Sequence, residues 1–97
     1  MKIYYPYKSD KKDKKYFIVT LNGDRVYFGA SGYEDFTTHK DEKRREAYIR
    51  RHEKNENKFW DDPNTASYWA LKYLWLYPTK KEAYENIKKE LKKKGFI

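Results

Sequence analysis

The sequence predicts a single α+β domain, an N-terminal β-hairpin or three-strand antiparallel meander followed by three helices. Three observations predict it. Two β-prone runs flank an Asn22-Gly23 pair, later segments open on Thr residues placed as helix caps, and Pro or Gly marks the breaks between them. The 97 residues hold one core and leave no room for a second of useful size, so the domain spans 1–97. Hydrophobic residues make up only 38%, but 20% of the chain is aromatic, and disordered chains are poor in aromatics. Each aromatic buries a large area, so the expectation is a highly charged surface around a small aromatic core.

The hairpin reads Tyr16-Phe17-Ile18-Val19-Thr20-Leu21, then Asn22-Gly23, then Asp24-Arg25-Val26-Tyr27-Phe28. Asn-Gly favours a type I′ turn, because both residues tolerate positive φ. A two-residue loop sets Val19 opposite Val26 and Phe17 opposite Phe28, which makes these four the expected core face. Ile18 with Tyr27 and Thr20 with Arg25 then form a mixed face, open to solvent or a partner. Lys2 to Tyr7 is the expected third strand, held to a sheet edge by Pro6, with Ser9 to Lys15 as a charged loop. Residues 1–15 are thus a basic edge strand and loop.

Gly29, Gly32 and Asp35 mark the stretch to Thr37 as loop. Thr38 with Asp41 approximates a capping box, which predicts a helix from about His39 to Asn55. Ala47, Tyr48 and Ile49 are almost its only apolar members, so it is expected to be a surface helix docked by a narrow stripe. After the Asp61-Asp62-Pro63-Asn64 break, Thr65 caps a segment through Leu76 that is apolar nearly all round. Such a segment is a central buried helix or half of an oligomer interface; the first is preferred, and a homo-oligomer through Tyr68, Trp69, Tyr73 and Trp75 is the alternative. Pro78-Thr79 starts the last helix, with Thr79 and Glu82 as a second capping box. Ala83, Tyr84, Ile87 and Leu91 form its apolar stripe, and Gly95 ends it within a lysine-rich tail over 92–97.

Lys plus Arg number 23 against 15 Asp plus Glu, a net charge of +8, which points to polyanionic partners. In the basic helix Lys40, Arg44, Ala47 and Arg51 follow steps of four, three and four along one stripe; Lys43, Arg50 and Lys54 line an adjacent one. Arginine suits phosphate through its bidentate fork. The bland alternative is a solvated helix held by pairs such as Glu46 with Arg50. Lys11-Lys12-Asp13-Lys14-Lys15 and the run from Lys88 to Lys94 are two further basic clusters. The candidate nucleic-acid contacts are therefore Lys40, Lys43, Arg44, Arg50, Arg51 and Lys54 on the helix, with Lys92, Lys93 and Lys94 in the tail.

Cysteine is absent, which rules out disulfides, thiolate chemistry and zinc–thiolate sites and fits a reducing compartment. The opening Met1-Lys2-Ile3-Tyr4-Tyr5-Pro6 lacks the apolar stretch of a signal peptide, and no apolar run spans a bilayer, so an intracellular, soluble protein without a membrane partner is expected. His39 and His52 are the only histidines, and Ser9, Ser31 and Ser67 sit in no nucleophile motif. A nuclease assembled from Tyr33, Asp35, His39, Arg44, Arg51, His52 and Glu56, with Asp61 and Asp62 for a metal, has no diagnostic spacing. The expectation is no catalytic residue, no metal and no cofactor. His52 lies one turn beyond Tyr48, where a structural histidine is the simpler reading.

The pattern FG-x-x-GY-x-DFT-x-HKD over Phe28 to Asp41, followed by Y-I-x-RH over Tyr48 to His52, resembles a family of small basic proteins and domains of large nucleocytoplasmic DNA viruses of algae and amoebae. The resemblance covers roughly residues 15 to 90 and continues through Trp69, Trp75 and Pro78-Thr79. It implies a viral protein without recognised catalytic residues, in the host cytoplasm or viral factory, with the virion as the other candidate. It also gives Gly29, Gly32, Tyr33, Asp35, Phe36, His39, Lys40, Asp41, Tyr48, Arg51 and His52 a joint role as one local structural unit. In that unit Asp35 is expected to hold Arg51 or His52. A phosphate-binding loop on Gly29, Gly32 and the helix start is the sharper alternative, opposed by Asp35, Asp41 and Glu42. The combined expectation is a non-enzymatic binding protein contacting phosphates of DNA or RNA. A minor capsid or cementing role on an acidic capsid surface is the alternative, and a small nuclease a distant third.

Overall fold

A computed structural model describes residues 1–97. Strands β1 (Tyr7–Lys8), β2 (Lys14–Val19) and β3 (Arg25–Ala30) form an antiparallel sheet in that order, so the expected α+β meander is present. The first strand is shorter than the Lys2 to Tyr7 segment predicted. Tyr4 adopts φ 49°, in the left-handed region, and turns the chain so that its ring enters the core at 1% exposure. Its N–H still donates to Val19 O (2.8 Å), its hydroxyl donates to Asn64 Oδ1 (2.7 Å), and its ring meets Phe96 edge-on.

The hairpin register differs by one residue from the expected pairing. Ile18 faces Val26, Phe17 faces Tyr27, Tyr16 faces Phe28 and Val19 faces Arg25. The connection is the three-residue Leu21-Asn22-Gly23 loop: Gly23 N–H donates to Thr20 O (2.9 Å), and Thr20 N–H to Asp24 O (2.8 Å). Gly23 alone takes a positive φ, +90°, while Asn22 does not, as in a type I turn closed by a left-handed glycine. Because side chains alternate along a strand, this slip moves β2's Ile18 to the core face and Phe17 to the other. Ile18 (0% exposed) and Phe28 (1%) now lie together beneath the helices.

Chain direction changes twice where one helix start was expected. Asp35, not Thr38, caps a single turn, α1 (Phe36–His39), by accepting the Thr37 N–H (3.0 Å). Lys40 then ends that turn in the left-handed region at φ 55°. Asp41 caps α2 (Glu42–Glu56), accepting from Lys43 N (3.0 Å) and Arg44 N (3.3 Å). Two carboxylates thus take the cap positions, where a negative charge also meets the positive helix end. Helix α3 (Ala66–Trp69), capped by Thr65, continues as a π-helix over Ala70–Trp75, and α4 (Lys80–Lys94) runs from Thr79 to a left-handed Gly95.

The aromatic segment is the centre of the fold. Tyr68 and Trp69 are 0% exposed and Tyr73 8%, packed with Ile18, Phe28, Ala83, Ile87 and Leu91. Trp69 Nε1 donates to Pro63 O (2.8 Å), so even its polar atom is satisfied. Tyr68, Trp69 and Tyr73, the residues weighed for an oligomer contact, therefore lie inside one chain; Trp75 is half-buried. In contrast, α2 has no buried residue. It is held by Arg45 Nε on Trp75 O (3.1 Å), by Ser67 Oγ on Glu56 (2.8 Å) and by Tyr48 stacked on Trp75.

Candidate functional site

A cleft of about 520 Å³ opens between α2, the end of β3 with its following loop, and the π-helix. Steps of three and four residues bring Arg44, Ala47, Tyr48, Arg51 and His52 onto the facing side of α2. The opposite wall is Ala70, Leu74 and Trp75; the i→i+5 bond from Leu76 N–H to Leu71 O (2.9 Å) widens this segment so that residues four and five apart share a face. Gly29 sits where strand and wall approach, at φ +81°. A Cβ there would lie 3.0 Å from Leu74 Cδ1 and 3.2 Å from Lys15 Cβ, so only glycine permits this packing.

Charge is distributed unevenly across the cleft. Lys15 Nζ lies 2.8 Å from Asp35 Oδ2, while Oδ1 accepts both the N–H and the hydroxyl of Thr37. Asp35, 3% exposed, therefore holds Lys15, not the expected Arg51 or His52. Its first oxygen is committed to capping α1, and Lys15 on β2 is the cation within reach of the second. Arg44 and Glu34 approach only to 3.7 Å with both side chains about half exposed, a solvent-screened pair worth little. Arg51 lies at the cleft with no carboxylate partner.

Tyr48 is the cleft's fixed wall. Trp75 stacks on one face at 4.2 Å and 6°, and His52 on the other at 4.0 Å. Burial, helped by the Glu56 charge, pushes the Tyr48 hydroxyl far above its usual range, so it stays protonated. His52 Nδ1 is 2.8 Å from Tyr48 O, and Nε2 is 3.7 Å from Glu56. Tyr33 is the opposite case, 75% exposed.

The structure thus gathers Gly29, Tyr33, Asp35, Arg44, Tyr48, Arg51 and His52 around one space. It does not bring in the rest. Gly32 is exposed at φ +86° in the loop. His39 leans against Trp75, with Nδ1 accepting the Asp41 N–H (2.9 Å) and Nε2 buried without a partner. Lys40 ends α1 and bonds Thr37 O through Nζ, so it falls off the basic stripe assigned to it. Lys43, Arg50 and Lys54 are exposed on α2 outside the cleft. Lys92, Lys93 and Lys94 are exposed in the last turn of α4, where Lys94 reaches Asp61 O (3.2 Å). Lys15, Leu74 and Trp75 join the site without having been expected there, because a lysine in a charge run and two apolar residues in a core helix carry no local signal of a cleft.

Residues 7–52 match a family of unknown function (DUF5754). The matched stretch begins at β1 and ends at His52, so it contains every cleft residue supplied by the sheet, the loop and α2. The π-helical wall lies beyond it. No curated protein and no solved structure matches the chain. No group of three or more His, Asp or Glu side chains is placed to hold a metal ion, and no helix is long and apolar enough to cross a membrane.

Proposed function

We propose that this protein binds nucleic acid without acting chemically on it, contacting phosphates through Arg44 and Arg51 at the cleft and Arg50, Lys43 and Lys54 on the adjoining stripe of α2. One observation carries the reading: Arg51 has no carboxylate partner, and Arg44 only a distant, solvent-exposed one. Seven residues separate them on the same side of α2, which sets the guanidiniums roughly 10 Å apart along the axis at the rise of an α-helix. A helix with no buried residue presents such a row freely. The net charge of +8 adds attraction toward any polyanion, with Lys92, Lys93 and Lys94 contributing only to that field.

The test is a binding titration across salt concentrations with Arg44, Arg50, Arg51 and Lys54 all replaced by Gln. Gln keeps helix propensity near that of Arg and Lys, and these side chains are exposed, so the fold survives. Affinity should fall about equally for all sequences, because phosphate contacts position a protein but read no bases. The log–log salt slope should fall by roughly 0.9 for each duplex phosphate that the variant no longer neutralises. A parent that binds neither DNA nor RNA at about 50 mM salt sinks the reading and leaves an acidic protein surface as the partner the charge fits.

A further inference from the structure

We propose that the cleft beside α2 takes one unpaired nucleotide of a single-stranded chain, its base against Tyr33 and its phosphates on Arg44 and Arg51. The inference rests on the nucleic-acid reading and adds to it a strand preference and a place for the base. The cleft's volume, about 520 Å³, lies in the range that encloses a small organic group. A paired base cannot enter it, because in a duplex only phosphates and groove edges are presented.

Polarity within the cleft sets the orientation of the nucleotide. Asp35 is buried at 3% exposure and lines the cleft with Lys15, so an anion placed beside it would be repelled by the carboxylate. A neutral base meets no such cost there, and Lys15 Nζ, with one of its three donors on Asp35, has N–H groups left for a base acceptor. The exposed guanidiniums of Arg44 and Arg51 offer the charge that the phosphates require.

The aromatic groups divide in the same way. Tyr48 already has Trp75 on one face and His52 on the other, so it forms wall and offers no stacking face. Tyr33 stands 75% exposed and lines the same cleft. Gly32, the residue before it in the loop after β3, takes a positive φ of +86°. Base–aromatic stacking tolerates any base, which suits a site built from tyrosine and arginine without a fixed reading edge.

The experiment is a fluorescence-anisotropy titration of the full chain with labelled oligothymidine, with a duplex of the same length and with thymidine monophosphate in competition, at about 50 mM salt and above. The single strand should bind at least about tenfold tighter than the duplex. Tyr33→Leu should lose about tenfold on the single strand, leave its salt slope unchanged and leave duplex binding unmoved. Tyr33→Trp, which keeps a stacking ring, should retain parental affinity. Tyr33 is exposed, so neither change disturbs folding. Equal binding of strand and duplex with Tyr33→Leu silent on both overturns this inference and leaves the phosphate reading standing. Monophosphate competing as strongly as the strand replaces the strand by a free nucleotide and also overturns it. A parent that binds no nucleic acid at low salt removes the phosphate reading itself.

Discussion

The inner face of the sheet is closed by another layer of the chain, and the outer face by the sheet's own side chains. On the inner face Ile18 and Phe28 are 0% and 1% exposed, packed with Trp69, Tyr73 and Leu74. On the outer face Phe17 is also nearly buried, yet lies outside the main core cluster. Tyr7 and Tyr27 flank it at 5.7 and 5.4 Å, the Arg25 guanidinium covers its ring at 4.4 Å, and Lys11 covers Tyr27 at 4.1 Å. The methylene stems and cation–π contacts of these basic residues exclude water while their charges stay wet. Low exposure thus has two origins in this domain. The inner face is dry packing, worth roughly 1.5 to 3 kcal/mol per large side chain, whereas exposed cation–π contacts add about 0.5 to 1 kcal/mol each.

Emptying the inner layer should cost most. Trp69→Ala should cost about 3 to 5 kcal/mol, seen as a lower urea midpoint, because it removes a fully buried ring and the bond to Pro63 O. Next in size, neighbouring positions of β2 should lose unequal amounts from the same change. Ile18→Ala, at a 0% exposed site, should cost roughly 2 to 4 kcal/mol, and Val19→Ala on the outer face about 1 kcal/mol or less. Equal losses at the two would mean that a second layer covers the outer face as well.

The two layers also differ in how they hold charge. On the outer face the Tyr27 hydroxyl donates to Asp10 (2.8 Å) and holds its carboxyl below the ordinary value, but the group is fully in water, so Asp10→Asn should leave the unfolding midpoint in place. In the helical layer burial acts to raise the Glu90 carboxyl, yet hydrogen bonds from Tyr68 and Lys72 outweigh it and hold the group below its ordinary 4.5. A lowered folded-state value means that Glu90 contributes its full share above the unfolded value and loses it as pH falls through the folded one. Glu90→Gln should therefore cost about 1 kcal/mol at neutral pH, discounted for a side chain that is 27% exposed. Urea titrations of parent and variant should show that gap closing as pH falls below the ordinary carboxylate value and through the lowered folded-state one. A gap that persists there would assign the loss to packing and not to charge.

The parts of the fold legible in the sequence were those set by local chemistry. Thr65 and Thr79 cap helices, Gly95 ends one, and the apolar run around Trp69 is central because nothing else could cover so many aromatics. The Tyr4 anchor, the Lys15–Asp35 pair and the π-helix were not legible, since each depends on a distant partner or on tertiary packing: Asn64 for Tyr4, twenty residues of chain between Lys15 and Asp35, and the packed aromatic layer for the π turn. The same division runs through the cleft. The motif residues Gly29, Tyr33, Asp35, Arg44, Tyr48, Arg51 and His52 could be grouped by sequence proximity and do line one space. The wall from Leu74 and Trp75 could not, because its residues lie more than twenty positions further along the chain.

The register of the hairpin decides which β2 residues face inward. A type I′ turn on Asn22-Gly23 needs positive φ at both residues, whereas the observed three-residue loop needs it only at Gly23, at +90°. The two geometries predict different sensitivities. Gly23→Ala forces a side chain into the left-handed region and should cost about 1 kcal/mol, all of it from backbone strain, since no atom lies within 4 Å of the added Cβ. Asn22→Ala, at an exposed position with ordinary φ, should cost within about 0.5 kcal/mol. Comparable losses at both positions in urea unfolding would favour the two-residue turn. That turn would place Phe17 and Val19 against the helices, and the ordering of Ile18 above Val19 would then reverse.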